Sequence, residues 1–294
     1  MKISTEIASA SLIVGEERAI ELIARAGFDA WDFSMCETMA DYKKDIGIVV
    51  GDHPLAGKDY AKFAKKLRRV GEDFGIHCNQ SHAPFPSGVP GMRDYLLRAI
   101  ECTAIAGGEI CVIHPYNYWC AEQNAEMYFE LLPFAKEHGV KIATENMFNW
   151  TYEEDHALPA ACSHHDDFLR HLELVNDPYL VACVDIGHSE MAGLDTSAVQ
   201  MIRTLGKHVQ ALHIHDNDKR YDSHRIIGQR NIDFIPVVKA LYEIGYDGYF
   251  TLECNTHIAR GGFTPDNVKW GVRDLADKVR GLANEFERLA GARK

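Results

Sequence analysis

The stretch LVACVDIGHSEMAG, Leu180–Gly193, starts as an apolar run and ends in chemistry. Leu180 to Val184 is long enough for a buried strand. Asp185, Gly187, His188, Ser189 and Glu190 follow at once. A carboxylate and an imidazole at the end of a buried strand are costly unless something pairs with them. A divalent metal satisfies both together. The same ending recurs outward along the chain. KIATEN closes on Glu145, QALHIHDND on His213, His215 and Asp216, and YFTLECN on Glu253. Upstream, Ile76–Gln80 runs into His82, and Glu109–Ile113 runs into His114.

Between these runs lie stretches with helical patterning. The sequence predicts a first strand at Lys2–Ala8, a second at Phe28–Phe33 and an eighth at Gly248–Leu252, with about eight helices interleaved. Thr196 is the expected N-cap of a helix to Lys207, and Pro265–Leu289 is the expected closing helix or helix pair. Two connections are long, Ser34 to Lys58 and Met147 to Ser163, and loops of that length in a compact domain are usually functional. Single strands between helices imply parallel βαβ units. Eight of them in 294 residues suggest one α/β domain over residues 1–294, a closed (β/α)8 TIM barrel, with an open doubly wound sheet as the alternative. In such a barrel the strand ends share one rim, so residues spread from His82 to Glu253 converge.

Composition narrows the function. The net charge of −12 works against broad binding to a phosphate backbone, so nucleic acid is not the expected partner. The eight cysteines include no C-x-x-C pair and read as free thiols of a reducing cytoplasm. No apolar run approaches the roughly 20 residues of a membrane span, and the N-terminus reads as a strand rather than a signal peptide.

Glu145, Asp185, His213 and Glu253 offer three carboxylates and one imidazole, a set that suits Mn²⁺, Mg²⁺, Co²⁺ or Zn²⁺. One acid at a strand end is as often the cap of the next helix. Four in a row on one rim would repel one another without a cation. Glu145 and Glu253, on strands five and eight, face each other across the barrel mouth. They are the expected proton-transfer pair for a small sugar or sugar phosphate held between them. His82, His114, His188, Asp222 and His224 are expected to bind substrate hydroxyls or a second metal. His215 is expected to point away from His213, towards the helices, and is read as structural. Lys219 and Arg220 are candidates to contact a substrate oxygen or phosphate, with a solvated loop as the plainer alternative.

T-E145-N, V-D185-I-G-H188, L-H213-I-H-D216, D222-S-H224-R-I-I-G228 and L-E253-C resemble the xylose-isomerase-like superfamily of barrels. That group includes tagatose/psicose 3-epimerases, hydroxypyruvate isomerase, inosose dehydratase and endonuclease IV. The resemblance runs from about Ser4 to Arg288. It implies Glu145, Asp185, His213 and Glu253 as metal ligands, with Glu145 and Glu253 also moving the proton, and His188 on a substrate oxygen. In ketose 3-epimerases an arginine usually sits six residues after the strand-seven histidine; here that position is Lys219. All nine zinc-ligand types of endonuclease IV are also matched: His82, His114, Glu145, Asp185, His188, His213, Asp222, His224 and Glu253. The charge and the aromatic, acidic loop Asn149–Asp155 favour sugar chemistry over a nuclease. A dehydratase or lyase on an inositol or keto-sugar would use the same site, and a sugar-binding barrel without catalysis is a further alternative. Relatives often assemble, and the closing helix and long loops offer apolar surface for a homo-oligomer.

Overall fold

The structure is a computed structural model and describes residues Met1–Ala292. Its principal strands are β1 (Lys2–Thr5), β2 (Ala30–Ser34), β3 (His77–His82), β4 (Ile110–Val112), β5 (Lys141–Glu145), β6 (Leu180–Asp185), β7 (Val209–His213) and β8 (Tyr249–Leu252). β2 to β7 form one parallel sheet in sequence order, and β1 pairs in parallel with β8. Two parallel bridges join these sheets, Glu6 with Asp32 and Ile214 with Leu252. Backbone bonds reinforce them: Ile7 N–H donates to Asp32 O at 3.2 Å, and Ile214 N–H to Thr251 O at 2.9 Å. The strands therefore close into a barrel, and the open-sheet alternative falls.

Strand alternation explains why the chemistry faces inward. On β6, Leu180, Ala182 and Val184 pack into the large core shared with the helices. Val181 and Cys183 belong instead to a small apolar plug with Val112, Ala143 and Ala211. Side chains two apart on a strand share a face. Asp185 thus continues the inward row of Val181 and Cys183. By the same count Val112 leads to His114, Ala143 to Glu145, and Ala211 to His213. The plug fills the barrel axis, and the polar groups are stacked above it at the carboxyl ends of the strands.

Several local expectations change. β1 ends at Thr5, and a helix at Ala8–Val14 follows it, across the mouth. Its start is fixed by Glu6, whose carboxylate accepts the Ser9 N–H at 2.9 Å and the Ser9 hydroxyl. Ser197, not Thr196, caps the helix Ala198–Leu205, its hydroxyl accepting the Gln200 N–H at 3.3 Å. Thr196 is instead bonded to the His165 ring at 3.0 Å. Each long connection carries an antiparallel hairpin, Asp41–Lys43 with Gly47–Val49 and Asn149–Thr151 with His156–Leu158. The closing segment is a short helix, Asn255–Ala259, and a long one, Val268–Gly291. All eight cysteines are free. Among the described residues no helix is long and apolar enough to cross a membrane.

Candidate metal and sugar site

Glu145, at the end of β5, is the hub. Its Oε1 lies 3.0 Å from His213 Nδ1, and its Oε2 lies 3.1 Å from His114 Nε2. Glu253, just past β8, approaches the same His213 nitrogen at 3.6 Å and His82 Nδ1 at 3.4 Å. One imidazole is therefore flanked by both glutamates. The His213 ring is set from behind: its Nε2 lies 3.5 Å from the buried Asp32 carboxylate, which also accepts the Gln80 amide at 2.9 Å. A carboxylate behind an imidazole fixes the tautomer and raises the basicity of the nitrogen that faces the site.

Asp185 is fully buried. One carboxylate oxygen accepts the His188 N–H at 2.7 Å and lies 3.1 Å from His215 Nε2. Asn146 stitches the ends of β5 and β6 together, accepting the Asp185 N–H at 2.8 Å and donating to Asp185 O at 2.9 Å. His188 donates from Nδ1 to Asn146 O at 2.9 Å, which turns Nε2 towards Asp222 at 3.4 Å. Asp222 also meets His224 Nε2 at 2.9 Å. His224 adopts a left-handed φ of 41° and is anchored by Nδ1 on Glu253 O at 2.8 Å. A non-glycine residue held there is commonly found at functional sites.

His215 corrects the expectation that it faces the helices. β7 ends at His213, and residues two apart share a face, so both rings look inward. The His215 ring stacks on His224 with centroids 3.9 Å apart. It also explains the glycine in D-I-G-H: a Cβ on Gly187 would sit 1.9 Å from His215 Cε1. Asp32 and Asn146 are supporting residues to which the sequence assigns no role, and His215, expected to be structural, gives its support from inside the barrel. An aspartate between Trp31 and Phe33, within the otherwise apolar part of the strand, is the available signal for Asp32.

The donor set fits divalent ions. Nitrogen and carboxylate atoms converge in groups lying within 4.8 Å: His82, His114 and Glu145; His82, His213 and Glu253; and His188, His215, Asp222 and His224. His82 Nε2 and His114 Nε2 point at each other at 2.6 Å. Buried Asp185 Oδ2 makes no hydrogen bond, and Glu145 Oε2 makes none of good geometry despite the nearby His114 ring, a costly state that a cation relieves. Without an ion the imidazoles carry the compensating charge. Burial opposes ionisation of Glu145, but His213 and His114 together outweigh it and hold the carboxyl well below the usual range. Burial likewise opposes His224, yet Asp222 and Glu253 push it up to about 10. His114 goes the other way, its burial keeping the ring neutral.

Above the cluster opens a cavity of about 890 Å³, within the range of ligand pockets. His82, His114, Glu145, His188, Asp222, His224 and Glu253 lie on its wall, with Phe85, Tyr116 and Phe148 around them. Asp185 and His213 sit beneath that surface. Lys219 and Arg220 are off the wall. Lys219 Nζ binds Glu190 at 2.9 Å, and Arg220 is paired with Asp155.

Fold and site together define a TIM barrel with a histidine–carboxylate centre at the mouth. A family model described as xylose isomerase-like TIM barrel matches residues 20–277, and the chain belongs to that family. An uncharacterised protein of Methanocaldococcus jannaschii is 30% identical over 254 residues, covering 80% of this chain and 78% of that one. A fructoselysine 3-epimerase of Shigella flexneri is 29% identical over 164 residues, 56% of this chain and 54% of the enzyme, so that match spans about half of its length. Among solved structures, the IOLI protein with a bound zinc atom superposes with a TM-score of 0.70 at 16% identity, covering 97% of this chain and 99% of that one.

Proposed function

We propose that this protein is a divalent-metal-dependent isomerase or epimerase of a small sugar or sugar derivative, working by proton transfer through an enediolate. The observation that carries the reading is the placement of Glu145 and Glu253 on either side of His213, 3.0 and 3.6 Å from one nitrogen. The similarity to a 3-epimerase supports it. Glu145, Asp185, His213 and Glu253 would hold one ion, and His82, His114, His188, Asp222 and His224 have the donors for others. When bound, the metal supplies Lewis-acid stabilisation of charge developing on substrate oxygens, a contribution of several kcal/mol.

The chain's own residues do the rest. One glutamate removes the proton from the carbon beside the carbonyl. The other returns a proton, to the opposite face for an epimerase or to the neighbouring carbon for an isomerase. Both carboxylates are held ionised by neighbouring imidazoles, so each is poised to act first as a base. His188, fixed by Asn146, presents Nε2 at the cavity wall for a hydroxyl. Phe85, Tyr116 and Phe148 exclude water from the reacting carbon.

The test is exchange. Stripping the metal should abolish turnover across a panel of ketoses and aldoses, and adding it back should restore turnover. In D₂O, deuterium should enter the product at the altered carbon. Turnover without such incorporation would remove the proton-transfer roles of the two glutamates. A product lighter by one water would assign a dehydratase instead.

A further inference from the structure

The cavity is larger than a single hexose needs, at about 890 Å³, close to the upper end for drug-sized ligands. Its floor is the buried cluster. Further out, its wall carries Leu12 and Tyr118, which are 80% and 76% exposed. The same wall includes two cations, Lys44 in the turn of the first hairpin and Arg260 just after the helix Asn255–Ala259. Both are exposed, and neither has a carboxylate partner within 4.0 Å among the described residues. This contrasts with Lys219 and Arg220, whose charges are already taken up by Glu190 and Asp155. Of the carboxylates on the wall only Glu37 is exposed as the two cations are, so its exposed part holds two cations and one acid on a chain that is strongly acidic overall. In a concave site, fixed charge of one sign concentrates a ligand of the other.

Resting on the sugar isomerase reading, we propose that the substrate is a sugar bearing an anionic group, a carboxylate or a phosphate, at the end remote from the reacting carbon, and that Lys44 and Arg260 receive it. The sugar end reaches the floor between Glu145 and Glu253. The intervening part of the molecule lies against the apolar wall. The anion stays at the solvent edge, where its desolvation cost is small. Lys44 and Arg260 come from two separate connections, after β2 and after β8, and both line the one cavity.

The experiment uses the metal-loaded protein and three matched probes: a free ketohexose, its terminal phosphate, and a keto-sugar carrying a carboxylate, either as a sugar acid or as an amino-acid conjugate. Solvent-hydrogen exchange gives kcat/KM for each. The better charged probe should exceed the neutral one by about 10-fold or more, and the phosphate and carboxylate arms show which anion is meant. Lys44→Ala and Arg260→Ala should each lower the charged-to-neutral ratio about 5- to 10-fold, through KM rather than kcat, and added salt should erode the ratio. Thermal melts confirm that the variants fold. Equal turnover of neutral and charged probes, or a ratio unmoved in both variants, overturns the proposal. If no sugar exchanges at all, it is the isomerase reading that fails. Equilibrium binding of the same probes then decides the subsite alone: affinity that depends on the anion and on both cations upholds it, and any other pattern overturns it.

Discussion

Glu6 offers a test of the site's electrostatics that needs no substrate. It lies at the end of β1, on the cavity wall, and is only 5% exposed. Burial drives its carboxyl up to about 7 from 4.5; Ser9 bonding opposes this, and the nearby Glu253 and Asp32 add to it. The sign follows directly. A carboxyl whose pKa is higher in the folded state binds more protons there than in the unfolded chain. Stability must then fall as pH rises from about 4.5 to 7 and level off above. At 1.36 kcal/mol per unit, the shift costs the folded protein about 3 kcal/mol at pH 8. Glu6→Gln keeps the shape and can serve both Ser9 groups, accepting from the N–H and donating to the hydroxyl. The assay is thermal or denaturant unfolding of the metal-free variant and the wild type at pH 5 and pH 8. The variant should gain relative to wild type between those values by about 2–3 kcal/mol. At roughly 2–4 °C per kcal/mol that is a relative shift of about 5–10 °C in Tm. A difference that does not change with pH, or one that grows in favour of the wild type, would refute the reasoning and mean that Glu6 is ionised when folded.

Other outcomes follow from the same geometry. Glu145→Gln and Glu253→Gln should each cut substrate hydrogen exchange by about 10²- to 10⁴-fold while circular dichroism stays native. Gly187→Ala should destabilise by about 1–3 kcal/mol, because its Cβ would land on the His215 ring, and His215→Ala in the same chain should recover part of that loss. Lys219→Ala and Arg220→Ala break only surface ion pairs and should leave kcat/KM within about 2- to 3-fold.

Much of the fold was legible because the strand ends announce themselves. Apolar runs closing on Glu145, Asp185, His213 and Glu253 carry both the signal of a buried strand and the polar stop, so fold and candidate site are legible in the same residues. Where reading failed, the cause was non-local. His215 faces inward, against expectation, because the chain leaves β7 at His213 and the stacked His224 ring holds it there. Thr196 and Ser197 are equally plausible caps by residue type; Ser197 caps the helix while the Thr196 hydroxyl is bonded to the His165 ring. The two hairpins were hidden in long connections because their strands are only three residues long, too short for a periodic signal.

The sequence by itself set Glu145, Asp185 and His213 at the polar ends of buried strands, since an apolar run and its polar stop are properties of the local chain. It also set the donor types on offer, carboxylate and imidazole, with no C-x-x-C pair. Only the tertiary structure decided which of those groups share a neighbour. Glu145 and Glu253 meet at His213, Asp32 stands behind that ring, and Lys219 and Arg220 are drawn off by Glu190 and Asp155. These are distances between segments far apart in the chain, fixed by barrel closure and strand register, and no local pattern encodes them.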